Sequence, residues 1–195
     1  MRIHWEGHGL SVARSIQLEP DGVLVETTWT CRRPSSAITV EHCIVGGAFL
    51  QGPLADLRIS PLPSHSHGVV LARELTEDPG GECGHWAEFP HAGAIGGGVE
   101  RIDAPSGPGR LYALADIAGI EIWERGRPTR LRLTFGGVLN SLWLWVPAIP
   151  GRLGIEPASV ADHRGLSHAL RHGTALTITP ERPARSWTRL QLVDT

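Results

Sequence analysis

The chain has 195 residues, 41% of them hydrophobic and 19% charged, which is enough to bury a core and carries no signature of disorder. Its formal net charge of −2 excludes a generally basic nucleic-acid binder and gives no electrostatic pull toward anionic membranes. All 18 basic residues are arginine, so Schiff-base and general-base chemistry by lysine is excluded.

In chain order, MRIHWEGHGL lacks the apolar segment of a signal peptide, and no later run approaches the ~20 apolar residues that span a bilayer. The expectation is a cytoplasmic chain with no membrane partner. LSVARSIQLEP and DGVLVETTWTC alternate apolar and polar residues on either side of Pro20-Asp21-Gly22, a hairpin signal. SSAITVEHCIV continues the alternation to Gly46-Gly47, and LADLRISPL and HGVVLARELT are further short strand candidates. From Pro79 to Gly109 the sequence is dense in Gly and Pro and reads as a long irregular loop, of the kind that carries function or is disordered.

Strand texture returns with RLYALADIAGIEIWERG, read as a hairpin turning near Ala118-Gly119, and continues through TRLRLTFGG and VLNSLWLWVPA. One helix is expected in SVADHRGLSHALRHG, capped by Ser159, carrying Val160, Leu166, Ala169 and Leu170, and ended by Gly173. TALTITP and SWTRLQLVD close the pattern as strands. Many short strands, at most one short helix, no repeat and no linker predict a single antiparallel all-β domain, a two-sheet β-sandwich or open barrel.

Chemistry is expected first at Glu156. It follows an aromatic strand, stands between Ile155 and Pro157, and is held extended by the proline. A carboxylate in apolar surroundings has a route to the raised pKa that a general base needs near neutrality. His42 ends an alternating strand before a Gly-Gly loop, and an imidazole titrates in the range where it can give and regain a proton. Trp143 and Trp145 share one face of their strand by period two, either as core or as flat platforms for a sugar ring. Cys31, Cys43 and Cys83 are odd in number and show no CxxC spacing, so neither a disulfide framework nor a zinc knuckle follows.

The series EHCIVGGAFL, LWLWVPAIPGRLGIEPAS and ALRHGTALTITPERPARSWTRLQL resembles the aldose 1-epimerase (galactose mutarotase-like) superfamily. The resemblance implies a two-sheet sandwich with a sugar cleft, His42 as general acid, Glu156 as general base and Trp145 lining the cleft. Trp143 and Glu41, next to His42, complete the expected substrate-binding set. The implied reaction is the interconversion of aldose anomers by ring opening, with a small-molecule carbohydrate as partner and no cofactor. Members of the superfamily carry earlier strands with sugar-contacting Arg and His side chains, so the chain is expected to be short at its N-terminal side. An edge left open in this way invites a homodimer. The aspartate that grips a ring hydroxyl in the superfamily has only Asp116 and Asp162 as candidates.

Two rival readings stand beside this one. PSHSHGVVLARE and PGGECGHWAEFPH offer His65, His67, Glu74, His85 and His91 to a divalent metal, in the manner of cupins but with poor spacing. Alternatively, the same cleft binds a carbohydrate without turning it over. AGAIGGGVE lacks the strand and helix of a dinucleotide loop, and no GxSxG or Walker motif is present.

Overall fold

A computed structural model describes residues 1–34, 36–40, 44–45, 57–65, 69–75, 83–89, 110–124, 126–146, 153–162 and 164–194. The first strands are β1 (Arg2–Gly7), β2 (Leu10–Glu19), β3 (Gly22–Cys31), β4 (Ser36–Ile38) and β5 (Ile44–Val45). They are followed by β6 (Leu57–Pro63), β7 (Leu71–Leu75), β8 (Ala87–Glu88), β9 (Arg110–Ala115) and β10 (Ile117–Glu124). Next come β11 (Thr129–Gly137), β12 (Ser141–Val146), β13 (Gly154–Ala158), the helix α1 (Gly165–Arg171), β14 (Leu176–Ile178) and β15 (Ala184–Asp194).

Among the described residues these strands form a seven-stranded sheet ordered β1-β2-β3-β15-β11-β10-β6 and a six-stranded sheet ordered β5-β13-β12-β9-β7-β8, with β14 and β4 pairing apart. Every pairing is antiparallel. The all-β sandwich expected from the alternation is therefore what forms.

Period two explains how the sheets are glued. Tyr112, Leu114, Leu142, Leu144 and Ile155 from the six-stranded sheet meet Ile120, Ile122, Leu133 and Phe135 from the seven-stranded one in a single buried cluster. Each such side chain removed from water is worth roughly 1.5–3 kcal/mol. The intervening residues of the six-stranded sheet, Ala113, Trp143 and Ala158, belong to a second cluster with Leu75, Val160 and Ala169, on the opposite face and under α1. At the other end of the seven-stranded sheet no residue of β1 or β2 is buried, although Leu10 of β2 packs against the core, so most of this hairpin lies outside it.

Three local expectations are corrected. RLYALADIAGIEIWERG is not a hairpin turning at Ala118-Gly119: Asp116, at φ 58°, turns the chain from β9 in one sheet to β10 in the other. Gly119 lies at a register shift in β10, where a Cβ would come within 2.4 Å of the Leu133 carbonyl oxygen, so glycine serves a close backbone approach there. Ser159 does not cap the helix, which starts after Arg164 with no side-chain cap. Its hydroxyl instead accepts the Val40 N–H at 2.9 Å, while the Ser159 N–H donates to the Val40 carbonyl at 2.8 Å. β1 forms ahead of the first strand expected from the sequence. His8 and Gly9, both at positive φ, join it to β2 in a two-residue turn.

Candidate functional site

The register of the six-stranded sheet sets the residues of its outer face in rows. Glu156 pairs with Trp143, Trp143 with Ala113 and Ala113 with Arg73, so these four side chains lie side by side across β13, β12, β9 and β7. Three inter-strand spacings separate Glu156 from Arg73, about 14 Å between backbones. In the next row Gly154 faces Trp145, which faces Leu111, which faces Leu75.

Within this face Glu156 is half-buried. A Cβ added at Gly154 would lie 3.2 Å from Trp145 Cβ and 3.7 Å from the Glu156 carboxylate, so carboxylate and indole converge over the space the glycine leaves open. The two tryptophans share a face, as period two predicts, but part in burial. Trp143 is 7% exposed and donates its indole N–H to the Val160 carbonyl at 3.0 Å, which places it in the floor beneath α1. Trp145 is 38% exposed and presents its ring at the surface.

The far wall joins Asp162 to Arg73, Trp86, Arg164 and His168, none of which the sequence marks as a site residue. Arg73 lies with its guanidinium carbon 4.6 Å from the ring centre of Trp86. Its Nη2 donates to the Ala161 carbonyl at 3.4 Å and stands 3.6 Å from Asp162, while its buried Nε has no hydrogen-bond partner among the described residues. Asp162 accepts from the Arg164 backbone N–H at 2.9 Å and from Arg164 Nη2 at 2.6 Å, and lies 3.3 Å from His168 Nε2. Burial raises the Asp162 pKa, but the Arg164 hydrogen bonds and the charges of His168 and Arg164 outweigh it and hold the carboxyl far below the usual range. Burial lowers His168 by more than Asp162 raises it. The signal for Arg73 was period two in LAREL, which turns Leu71, Arg73 and Leu75 to one face. Its partners come from distant segments that no local pattern reveals.

Of the two aspartates considered for the sugar, Asp162 stands on this face, whereas Asp116 occupies the corner between the sheets and accepts the Ser64 N–H through its carbonyl at 2.9 Å. His42 and Glu41 lie outside the described residues. The chain on either side of them does not: Val40 is hydrogen-bonded to Ser159, and Ile44 pairs with Ile155. Both contacts are to β13 or the residue just after it, so Val40 and Ile44 each meet the strand carrying Glu156 or its end.

The metal-ligand candidates form no cluster of three among the described residues. His65 and His85 are exposed, and Glu74 pairs with Arg110 at 3.9 Å. His67 and His91 lie outside the described residues, and among the described residues no three His, Cys, Asp or Glu side chains converge. A depression of about 540 Å³, lined among others by Arg2, His4, Arg14, Glu26 and Arg185, belongs to the seven-stranded sheet and shares no residue with the Glu156 row. Among the described residues no helix is long and apolar enough to cross a membrane.

No family profile and no curated protein matches the sequence. Solved structures do match the fold. A putative aldose 1-epimerase from Escherichia coli K12 superposes with a TM-score of 0.66 at 12% identity, over 95% of this chain and 61% of that one. A putative mutarotase from Salmonella typhimurium gives 0.66 at 9% identity, over 100% and 59%. A galactose mutarotase-like protein from Lactobacillus casei gives 0.66 at 15% identity, over 98% and 68%. The chain thus spans about three fifths of the length of the first two and has the galactose mutarotase-like β-sandwich fold, as the resemblance in sequence implied.

Proposed function

We propose that the chain acts on an aldose, interconverting its anomers by acid/base ring opening on the outer face of the six-stranded sheet. In this reading Glu156 removes the proton of the anomeric hydroxyl and His42 protonates the ring oxygen. The ring opens, the C1–C2 bond rotates, and on closure from the other side His42 takes its proton back from the former ring oxygen while Glu156 returns its proton to the anomeric oxygen, which releases the opposite anomer. Trp145 supplies the flat apolar surface on which the C–H face of a pyranose stacks. Glu41 offers hydrogen bonds to sugar hydroxyls, and Arg73, backed by Trp86, offers donors from the opposite wall.

The single observation that supports this reading most is that Val40 bonds to Ser159, just after β13, and Ile44 pairs with Ile155 within it. Val40 and Ile44 are thereby brought to the strand of Glu156 or its end, beside β12 with its exposed Trp145. The fold shared with proteins described as putative epimerases and mutarotases agrees with it.

The test is saturation-transfer NMR or polarimetry on freshly dissolved α-glucose and α-galactose. The native chain accelerates equilibration over buffer, and Glu156→Gln lowers the rate by about 10²–10⁴-fold, the usual share of a general base. Full activity in Glu156→Gln would refute the assignment. Sugar binding in calorimetry with no acceleration by the native chain would replace it with a carbohydrate-binding module.

A further inference from the structure

We infer that the free edge of β1 is a self-pairing surface, through which two copies of this chain join their seven-stranded sheets about a two-fold axis at His4. Strand β1 ends the seven-stranded sheet, and among the described residues only β2 pairs with it.

The hydrogen-bonding phase of that edge can be read directly. Ile16 donates its N–H to the Met1 carbonyl at 2.8 Å, and the Met1 amino group donates to the Ile16 carbonyl at 2.7 Å, so Met1 and Ile16 form a bonded pair. Bonded and non-bonded pairs alternate along an antiparallel ladder, so Ile3, Trp5 and Gly7 also direct their backbone groups toward β2. Arg2, His4 and Glu6 are left with N–H and C=O groups directed at the open edge.

The side chains around those groups are self-complementary. With His4 facing His4 across the axis, Arg2 of each copy faces Glu6 of the other, and Ile3 faces Trp5. All three outward-directed residues then fall into bonded pairs, about six backbone hydrogen bonds in total. Centring the axis on Arg2 or Glu6 instead sets like charges opposite each other, which is destabilising. Charges on an edge strand usually guard it against pairing. Here their order along RIHWE selects one register and disfavours its neighbours. Glu6 is already held in place by Arg32, whose Nη2 lies 2.8 Å from both carboxylate oxygens, and by His4 Nε2 at 3.2 Å.

The apolar side adds a reason to associate. Ile3 is 47% and Trp5 50% exposed on the core-side face of the hairpin, where the row through Val12 and Trp29 runs out beyond the packed core, and Val12, opposite Trp5, is only partly buried. Pairing about His4 brings the Ile3 and Trp5 side chains of both copies together on that one face. The interface lies on the opposite sheet from Glu156 and is independent of the carbohydrate reading.

Analytical ultracentrifugation over a concentration series, combined with amide hydrogen exchange by NMR, tests this. The mass rises from 21.0 kDa toward twice that value with concentration, and the Arg2, His4 and Glu6 amides gain protection while Ile3 and Trp5, already bonded to β2, do not. His4→Pro removes an outward N–H without touching the β1–β2 ladder and raises the dimer dissociation constant more than about tenfold, whereas His4→Ala keeps the N–H and the dimer. A chain that stays monomeric up to about 1 mM, or a dimer that survives His4→Pro or leaves those three amides unprotected, overturns the inference.

Discussion

Ser159 lies three residues beyond Glu156, and its hydroxyl is the acceptor for a buried Val40 N–H. Read from the sequence it looked like a helix cap, because Ser before an apolar periodic run is the usual cap signal. A distant backbone donor that needed satisfying claimed it instead, and no local pattern announces such a donor. Ser159→Ala leaves that N–H without its acceptor, and urea unfolding should show a loss of about 1–3 kcal/mol. The same contrast separates Trp143 from Trp145. Alternation showed that they share a face, whereas the depth of each is set by Val160 and Ala169, which cover one indole and not the other. Among the described residues the most buried carboxylate is not Glu156 but Glu121, 8% exposed and bound by Arg130 at 3.1 Å and Arg132 at 2.6 Å on a neighbouring strand. Arginine alternates along TRLRL, yet only the register of β10 against β11 shows that an acid meets it.

At the level of elements, the strands were legible because one buried face imposes period two. Their assignment to sheets was not. The alternation in RLYALADIAGIEIWERG runs unbroken through Asp116, and nothing in it marks that the chain leaves one sheet for the other. Gly119 read as a turn residue because a glycine inside a strand and a glycine in a turn look alike in sequence. The end of α1 was legible. Gly173 stands at φ 68°, with its N–H to the Leu170 carbonyl at 3.3 Å and the Thr174 N–H to the Ala169 carbonyl at 2.9 Å, which is a Schellman stop. A side chain there takes on left-handed strain. Gly173→Ala should therefore cost about 1–2 kcal/mol in thermal unfolding, and Gly173→Asn less.

For the molecule as a whole, electrostatics predict acid sensitivity. Burial raises Glu121, but its hydrogen bonds from Arg132 and Arg130 outweigh this and leave the carboxyl below the usual range, as happens more strongly at Asp162. A depressed carboxylate adds stability above its unfolded pKa and loses it as pH falls through the folded value, so this contribution fades below about pH 4. His168, lowered chiefly by burial, acts in the same direction: charging it below about pH 6.5 is easier in the unfolded chain. Urea titrations at pH 7, 5 and 3 should show Asp162→Asn less stable than the native chain at neutrality, with the gap unchanged at pH 5 and beginning to narrow at pH 3. The candidate site is also legible only at this scale. Glu156 and its apolar setting were visible in sequence, but Arg73, Trp86 and Asp162 reach the same face from three separate segments.

The central place of β15 has a consequence for how the chain is made. Residues 184–194 fill the slot between β3 and β11, which are otherwise not paired to each other. Until that segment leaves the ribosome, each half of the seven-stranded sheet ends in a raw border of unpaired amides and carbonyls. The nascent chain must stay unassociated with both borders open, and the final insertion spans loops of low kinetic favour. Truncations that stop short of residue 184 should accumulate in chaperone-bound or insoluble form.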